Sequence, residues 1–160
     1  MSAQESHTDT HTGNCLCGGV NFTVQGPPNT VYCCYCKDCS LGAGGPCQIT
    51  ASYFSSEFTL HDPDGLVARY EITTGTASGK PKDKYFCRRC GCTLFTIPFT
   101  AGAKEIVVRP ALMTQRLTYI LGIVLTGDGR LHIFKPSIEC FTERRPGYFS
   151  ACEGAIQYQS

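Results

Sequence analysis

A chain of 160 residues, 42% of them hydrophobic, is long enough to bury a core as one domain. Its 14 basic and 13 acidic residues leave a formal charge of +1 with no basic block. This argues against a nucleic-acid or membrane-surface role and favours a small-molecule partner, leaving the oligomeric state open. No run approaches the roughly 20 apolar residues that cross a bilayer; the longest, Tyr119 to Leu125, is broken by Gly122.

Residues 1–13 are polar and lack the apolar stretch of a secretory signal. They read as a disordered tail ahead of a single zinc-binding β domain at 14–160, in a protein expected in the cytoplasm. Alternating or β-branched runs then follow at Val20 to Val24, Gln48 to Tyr53, Val67 to Ile72 and Leu94 to Ile97. Further runs lie at Glu105 to Arg109, Ile120 to Thr126 and Leu131 to Phe134. The last two flank Gly127-Asp128-Gly129, a hairpin signal. Turns are marked at Gly26 to Pro28, Gly42 to Pro46 and Asp62 to Gly65. No segment keeps a 3.6-residue apolar period for long. The pattern predicts an all-β fold, a short-stranded, zinc-stabilised sandwich or open barrel with at most one or two brief helical turns.

Twelve cysteines dominate the composition. In a secreted chain they would suggest disulfides, but the missing signal and the very short spacings favour metal-bound thiolates. Cys15-Leu16-Cys17 puts two sulfurs on one side of an extended segment. Cys87-Arg88-Arg89-Cys90-Gly91 is a knuckle whose glycine suits a left-handed turn. Together they offer zinc four thiolates in a closed, structural site, with Arg88 and Arg89 set to offset its charge. A redox pair or buried thiols are the plainer alternatives.

The second group is Cys34-x-Cys36-x-x-Cys39, three sulfurs from one loop. Three protein ligands leave a fourth position for water or substrate, the arrangement of catalytic zinc. Cys33 is expected on the other side of its strand. A closed site completed by Cys47, Cys92 or Cys33 is the alternative, and an iron–sulfur cluster fits the spacing less well.

The motifs resemble those of a known family. Asn14 to Val20 matches an opening Cys-x-Cys-Gly-x-Val, and Cys34 to Cys39 is similar to Cys-His-Cys-x-x-Cys. Tyr85 to Phe95 is similar to Phe-Cys-x-x-Cys-Gly-x-x-Leu-Phe, and Leu131 to Phe134 to a late His-Ile-Phe segment. By this resemblance the chain is identified as a member of the glutathione-dependent formaldehyde-activating enzymes and the related centromere protein V. The resemblance implies an all-β zinc fold, a structural zinc on Cys15, Cys17, Cys87 and Cys90, and a catalytic zinc on Cys34, Cys36 and Cys39. It also implies carbon–sulfur chemistry joining formaldehyde to glutathione. Tyr35 stands where the family usually carries histidine, and Cys33, Cys47, Cys140 and Cys152 lie outside the motifs.

The expected function is therefore that of a zinc-dependent, carbon–sulfur lyase-like enzyme, with two zinc ions and glutathione as a candidate co-substrate. It would act on a small carbonyl or thiol adduct, in specialised metabolism. A soft three-thiolate site suits a substrate thiolate in the open position. Tyr35 and Asp38 lie nearest for proton transfer, and His61 and His132 qualify by chemistry alone. Plainer roles are available to each: Asp38 capping the loop, Tyr35 packing over it, His61 exposed, His132 on a strand face. Zinc deaminases also use a cysteine-containing site, but their His-x-Glu and Pro-Cys-x-x-Cys signatures do not occur here. The alternatives are a zinc Lewis-acid enzyme independent of glutathione and a non-catalytic, zinc-stapled binding module.

Overall fold

Successive side chains of a strand face opposite ways, so a sheet made of short alternating strands presents two chemically distinct faces. The computed structural model describes residues 10–101, 104–114 and 134–160, and it has this character. In chain order its elements are β1 (Thr10–Asn14), β2 (Asn21–Gln25), β3 (Thr30–Cys34), α1 (Lys37–Ala43), β4 (Gln48–Phe54), β5 (Phe58–His61), β6 (Val67–Ile72) and β7 (Lys82–Cys87). There follow β8 (Thr93–Pro98), β9 (Glu105–Val108), β10 (Met113–Thr114), β11 (Ile138–Cys140) and β12 (Ile156–Tyr158). The expected hairpin around Gly127 to Gly129 lies outside the described residues.

The strands form two open sheets, one of order β10-β1-β2-β5 and one of order β12-β11-β3-β4-β9-β8-β7-β6. Neither closes into a barrel, so the all-β expectation holds in its sandwich-like form. One core joins them: Phe22 and Val24 of the small sheet cluster with Val31, Ala51, Tyr53, Phe95, Ile106 and Val108 of the large one. Aromatic contacts bridge the layers, with Phe22 stacked on Phe58 at 5.5 Å and Phe58 against Phe95 at 4.9 Å. Phe134, the described end of the late apolar run, is also buried in this core.

The polarity of the first residues misleads about where order begins. Strand β1 starts at Thr10, inside the stretch read as tail, and pairs with β2 from Thr10↔Gln25 to Asn14↔Asn21. Backbone pairing does not require apolar side chains. Gly13 matters here for its missing side chain, since a Cβ at this position would collide with the Phe22 ring.

The large sheet shows the alternation most plainly. On β4, Ala51 and Tyr53 enter the core, while Thr50 and Ser52 face a cavity on the other side. On β9, Ile106 and Val108 enter the core, while Glu105 and Val107 line that cavity; on β8, Phe95 and Thr96 divide in the same way. The core face supplies stability, about 1.5–3 kcal/mol for each fully buried large side chain. The opposite face is free to carry chemistry.

Candidate metal centres

The first cysteine group is built by two knuckles at strand ends. After β1 the chain turns at once, with the Cys15 N–H donating to the Val20 carbonyl at 3.0 Å and the Gly18 N–H to the Cys15 carbonyl at 3.0 Å. After β7 the Gly91 N–H donates to the Cys87 carbonyl at 2.8 Å. Gly18 and Gly91 both have φ of +72°, the left-handed conformation that lets each turn close. The turns bring the sulfurs of Cys15, Cys17, Cys87 and Cys90 within 4.8 Å of one another. Two separations are 3.5 Å (Cys15–Cys17) and 3.8 Å (Cys17–Cys87). A tetrahedral ion with zinc–sulfur bonds of about 2.3 Å spaces its sulfurs by about 3.8 Å, so the group is sized for such an ion.

Backbone donors turn inward on these sulfurs. The Val20 N–H reaches Cys15 Sγ at 3.4 Å. Burial opposes ionisation of Cys90, yet the N–H groups of Cys92 and Cys17 and the neighbouring thiols hold it down at about 6. The two expected arginines divide. Arg89 bonds to Asp64 at 3.2 Å and interacts with the Cys17 sulfur, whereas Arg88 reaches the Val67 carbonyl at 3.5 Å.

The second group sits where β3 runs into α1. Cys36 is the N-cap of the helix, its sulfur accepting from the Cys39 N–H at 3.4 Å, and Gly44 ends the helix in the left-handed conformation. This turn brings Cys34, Cys36 and Cys39 within 4.8 Å of one another. The thiols of Cys34 and Cys39 donate to Cys36, which with the Cys39 N–H and the charge of Lys82 holds its thiol far below the ordinary range. Negative charge therefore gathers on Cys36, whereas the Cys34 thiol, which donates to it, and the Cys39 thiol stay above the ordinary range.

Among the described residues no fourth metal-binding side chain joins this trio. Cys33 faces the other way and converges with Glu139 and Cys152, and its thiol lies beside Cys47. Cys92 lies in the Cys87 knuckle, its carbonyl accepting from the Cys87 N–H at 2.9 Å.

The two nearby proton-transfer candidates are already engaged. Asp38 is clamped by Lys82 and Lys84, each at 2.6 Å. Burial would raise its carboxyl, but the two ammonium groups outweigh burial and keep it ionised. Tyr35 is buried and donates to Glu139 Oε1 at 2.9 Å. Burial, then Cys33 and Glu139, push its hydroxyl well above the usual tyrosine range. His61 lines a separate shallow cavity with Thr12, Phe22 and Thr59 on the small sheet. His132 lies outside the described residues.

Cys34 and Cys39 open onto a cavity of about 300 Å³ on the polar face of the large sheet. Its walls include Thr50, Ser52, Thr96, Glu105, Arg109 and Cys140. Glu105 accepts from Ser52 Oγ at 2.5 Å. Sequence reasoning missed Glu105, Arg109 and Cys140, because their approach depends on register. Cys140 meets Cys34 only through the parallel pairing of β11 with β3. Alternation along Glu105 to Arg109 was the signal that could have separated the cavity-facing residues from the core-facing ones.

Two cysteine groups sized for metal, one of four sulfurs and one of three opening onto a cavity, mark an all-β domain whose cysteines could hold metal ions. The model of the family described as glutathione-dependent formaldehyde-activating enzyme matches residues 10–144, and the chain belongs to this family. Among solved structures, a Rhodobacter sphaeroides protein known from its crystal structure is similar at a TM-score of 0.51 and 22% identity. The match covers 71% of this chain and 96% of that one, and it supports the fold. No curated protein matches the sequence. No described helix is long and apolar enough to cross a membrane.

Proposed function

We propose that the chain is a zinc-dependent enzyme that makes or breaks a carbon–sulfur bond between a small thiol and a carbonyl compound, with glutathione as the candidate thiol. Cys15, Cys17, Cys87 and Cys90 would hold a structural zinc, and Cys34, Cys36 and Cys39 a second one at the cavity. The observation that carries this reading is the asymmetry between the groups: four sulfurs in the clasp between two turns, three where the cavity begins. Bound there, zinc would supply a Lewis acid and a site that favours the thiolate form of a substrate thiol.

The chain's own residues supply the rest. Helix α1 fixes Cys39 relative to Cys36, and the two lysines fix α1 through Asp38. A clamped, ionised Asp38 orients the loop rather than shuttling protons. Tyr35 anchors the loop from beneath through Glu139. Glu105 is the cavity carboxylate outside the lysine clamp and the candidate to take the thiol proton. The sulfur then bonds to the carbonyl carbon, and the carbonyl oxygen gains the proton to become a hydroxyl. The reverse sequence is the lyase direction. A reducing compartment such as the cytosol suits a chain whose twelve thiols are all unpaired.

X-ray absorption at the zinc edge tests the reading. Without thiol, seven sulfurs should surround two metals, four from one group and three from the other. Added glutathione should raise the count to eight, because zinc–sulfur and zinc–oxygen bonds differ by about 0.3 Å. Eight sulfurs before any thiol is added would mean a closed second site and would defeat the proposal.

A further inference from the structure

Arg109 is the most deeply buried cation among the described residues, with 6% of its surface exposed. It follows the last residue of β9 and borders the cavity that Cys34 and Cys39 open onto. Several other cations have acids: Lys82 and Lys84 share Asp38, Arg69 holds Asp83, and Arg145 holds Glu139. Arg109 has no carboxylate within ion-pair distance among the described residues. Its Nη2 donates to Thr96 Oγ1 at 2.9 Å, its Nη1 makes a long 3.5 Å contact with the Val107 carbonyl, and its Nε has no partner. Glu105, the acid on the same strand, bonds to Ser52 instead.

Burying a guanidinium without a carboxylate is costly unless another anion offsets it. Burial works against its charge, and the groups that offset this are Cys39, then Asp38, Cys34 and Cys36. Asp38 is already shared by two lysines. Three thiolates on a divalent ion carry one negative charge, spread over large sulfurs that accept hydrogen bonds weakly. That charge lowers the cost of burial and leaves the planar donor array of Arg109 unmatched. Such an array fits a carboxylate, which it can grip with paired N–H donors.

We propose that Arg109 is an anion-receiving group of the substrate site: the substrate carries a carboxylate, which the guanidinium holds while the reacting sulfur or carbonyl lies at the Cys34–Cys36–Cys39 centre. The proposal deepens the reading above and rests on it. It narrows the substrate class from small thiols and carbonyls to anionic ones. Thr96 is a positioning residue, since its hydroxyl orients Nη2.

The test uses the metal-loaded protein, kept reduced with a phosphine, and two thiols that differ in one charge. N-acetylcysteine has a carboxylate; N-acetylcysteine amide does not. Calorimetry gives each affinity, and the spectrum of cobalt-substituted protein reports sulfur entering the metal centre. Wild type should favour the acid by about 10- to 100-fold, the range of a charge-assisted hydrogen-bonded pair. Arg109→Met should reduce that preference to below about threefold, chiefly by weakening binding of the acid. Arg109→Lys keeps the charge but not the fork, so it should fall between, and it serves if the methionine variant misfolds. Equal binding of acid and amide by wild type, or an undiminished preference in both variants, would overturn the proposal and leave thiol entry standing. If neither thiol alters the cobalt spectrum, thiol entry fails instead. Pyruvate against pyruvamide then reads the subsite, with the same preference upholding it and equal binding overturning it.

Discussion

Cys33 and Cys34 are adjacent in sequence and serve opposite faces of β3, one beside Glu139 and Cys152, the other in the cysteine trio. A residue's role here follows from its parity on a strand as much as from its chemistry. Tyr35 shares the parity of Cys33, so its hydroxyl goes to Glu139, which also accepts from Arg145 at 2.9 Å and from the Cys152 N–H at 3.1 Å. Tyr35→Phe would leave a buried carboxylate oxygen short of a donor, at a cost of about 1–3 kcal/mol. The melting temperature should fall while the zinc content stays unchanged; a lost zinc would show instead that Tyr35 governs the metal loop directly. Cys36→Ser should do the opposite. It removes the sulfur on which the other two thiols converge, so metal analysis should fall from close to two zinc ions per chain to about one. The sheets should persist, because these three ligands belong to one short loop and cross-link little.

At the scale of elements, α1 shows what the sequence withheld. Its seven residues are too few for a 3.6-residue period to register, and none is buried. The helix exists because Cys36 caps one end, Gly44 the other, and Asp38 in the first turn reaches Lys82 and Lys84 of β7. Capping by cysteine and pairing across more than forty residues are not legible in a one-dimensional pattern. The strands read correctly, Gln48–Phe54 and Val67–Ile72 among them, are those with clear alternation. Thr10–Asn14 and Ile156–Tyr158, which were missed, are short, the first polar and the second an exposed edge. Lys82–Cys87 was missed although it lies inside the large sheet, because its first half is charged. The cysteine spacings were legible because each knuckle is local. The cavity wall was not, because it joins six strands through their register. Asp38→Asn should leave two largely buried ammonium groups without a carboxylate and cost about 2 kcal/mol at neutral pH, below the full value for a buried pair because the groups keep some exposure. Adding Lys82→Met should recover part of that loss in a double-mutant cycle, by removing one of the orphaned charges. Strictly additive losses in denaturant melts would mean that the clamp contributes nothing to stability.

For the whole molecule, the two metal groups should differ in what depends on them. The four-cysteine clasp joins the turn after β1 to the turn after β7, and so ties the small sheet to the large one across some seventy residues. Cys15 and Cys87 are fully buried within the shared core. A structural zinc of this kind contributes about 10–16 kcal/mol of apparent binding free energy, against a net stability of about 5–15 kcal/mol for an ordinary domain. With zinc held there, its loss alone would be enough to unfold the chain, whereas the trio, confined to one loop, would have no such leverage. A chelator that changes colour on taking zinc, followed together with far-ultraviolet circular dichroism, should therefore resolve two steps. The first equivalent should leave from the cavity site with the sheet signal unchanged, and the second should leave slowly as that signal collapses. Cys36→Ser protein should show only the second step. Cys90→Ser should give aggregated or unfolded protein from the outset, since three remaining sulfurs at the clasp cannot complete the tetrahedron. If the sheet signal falls with the first equivalent, the trio is holding the fold and the division between structural and cavity-side metal is wrong. If both equivalents leave with the signal intact, the hydrophobic core suffices alone, and the clasp serves something other than folding.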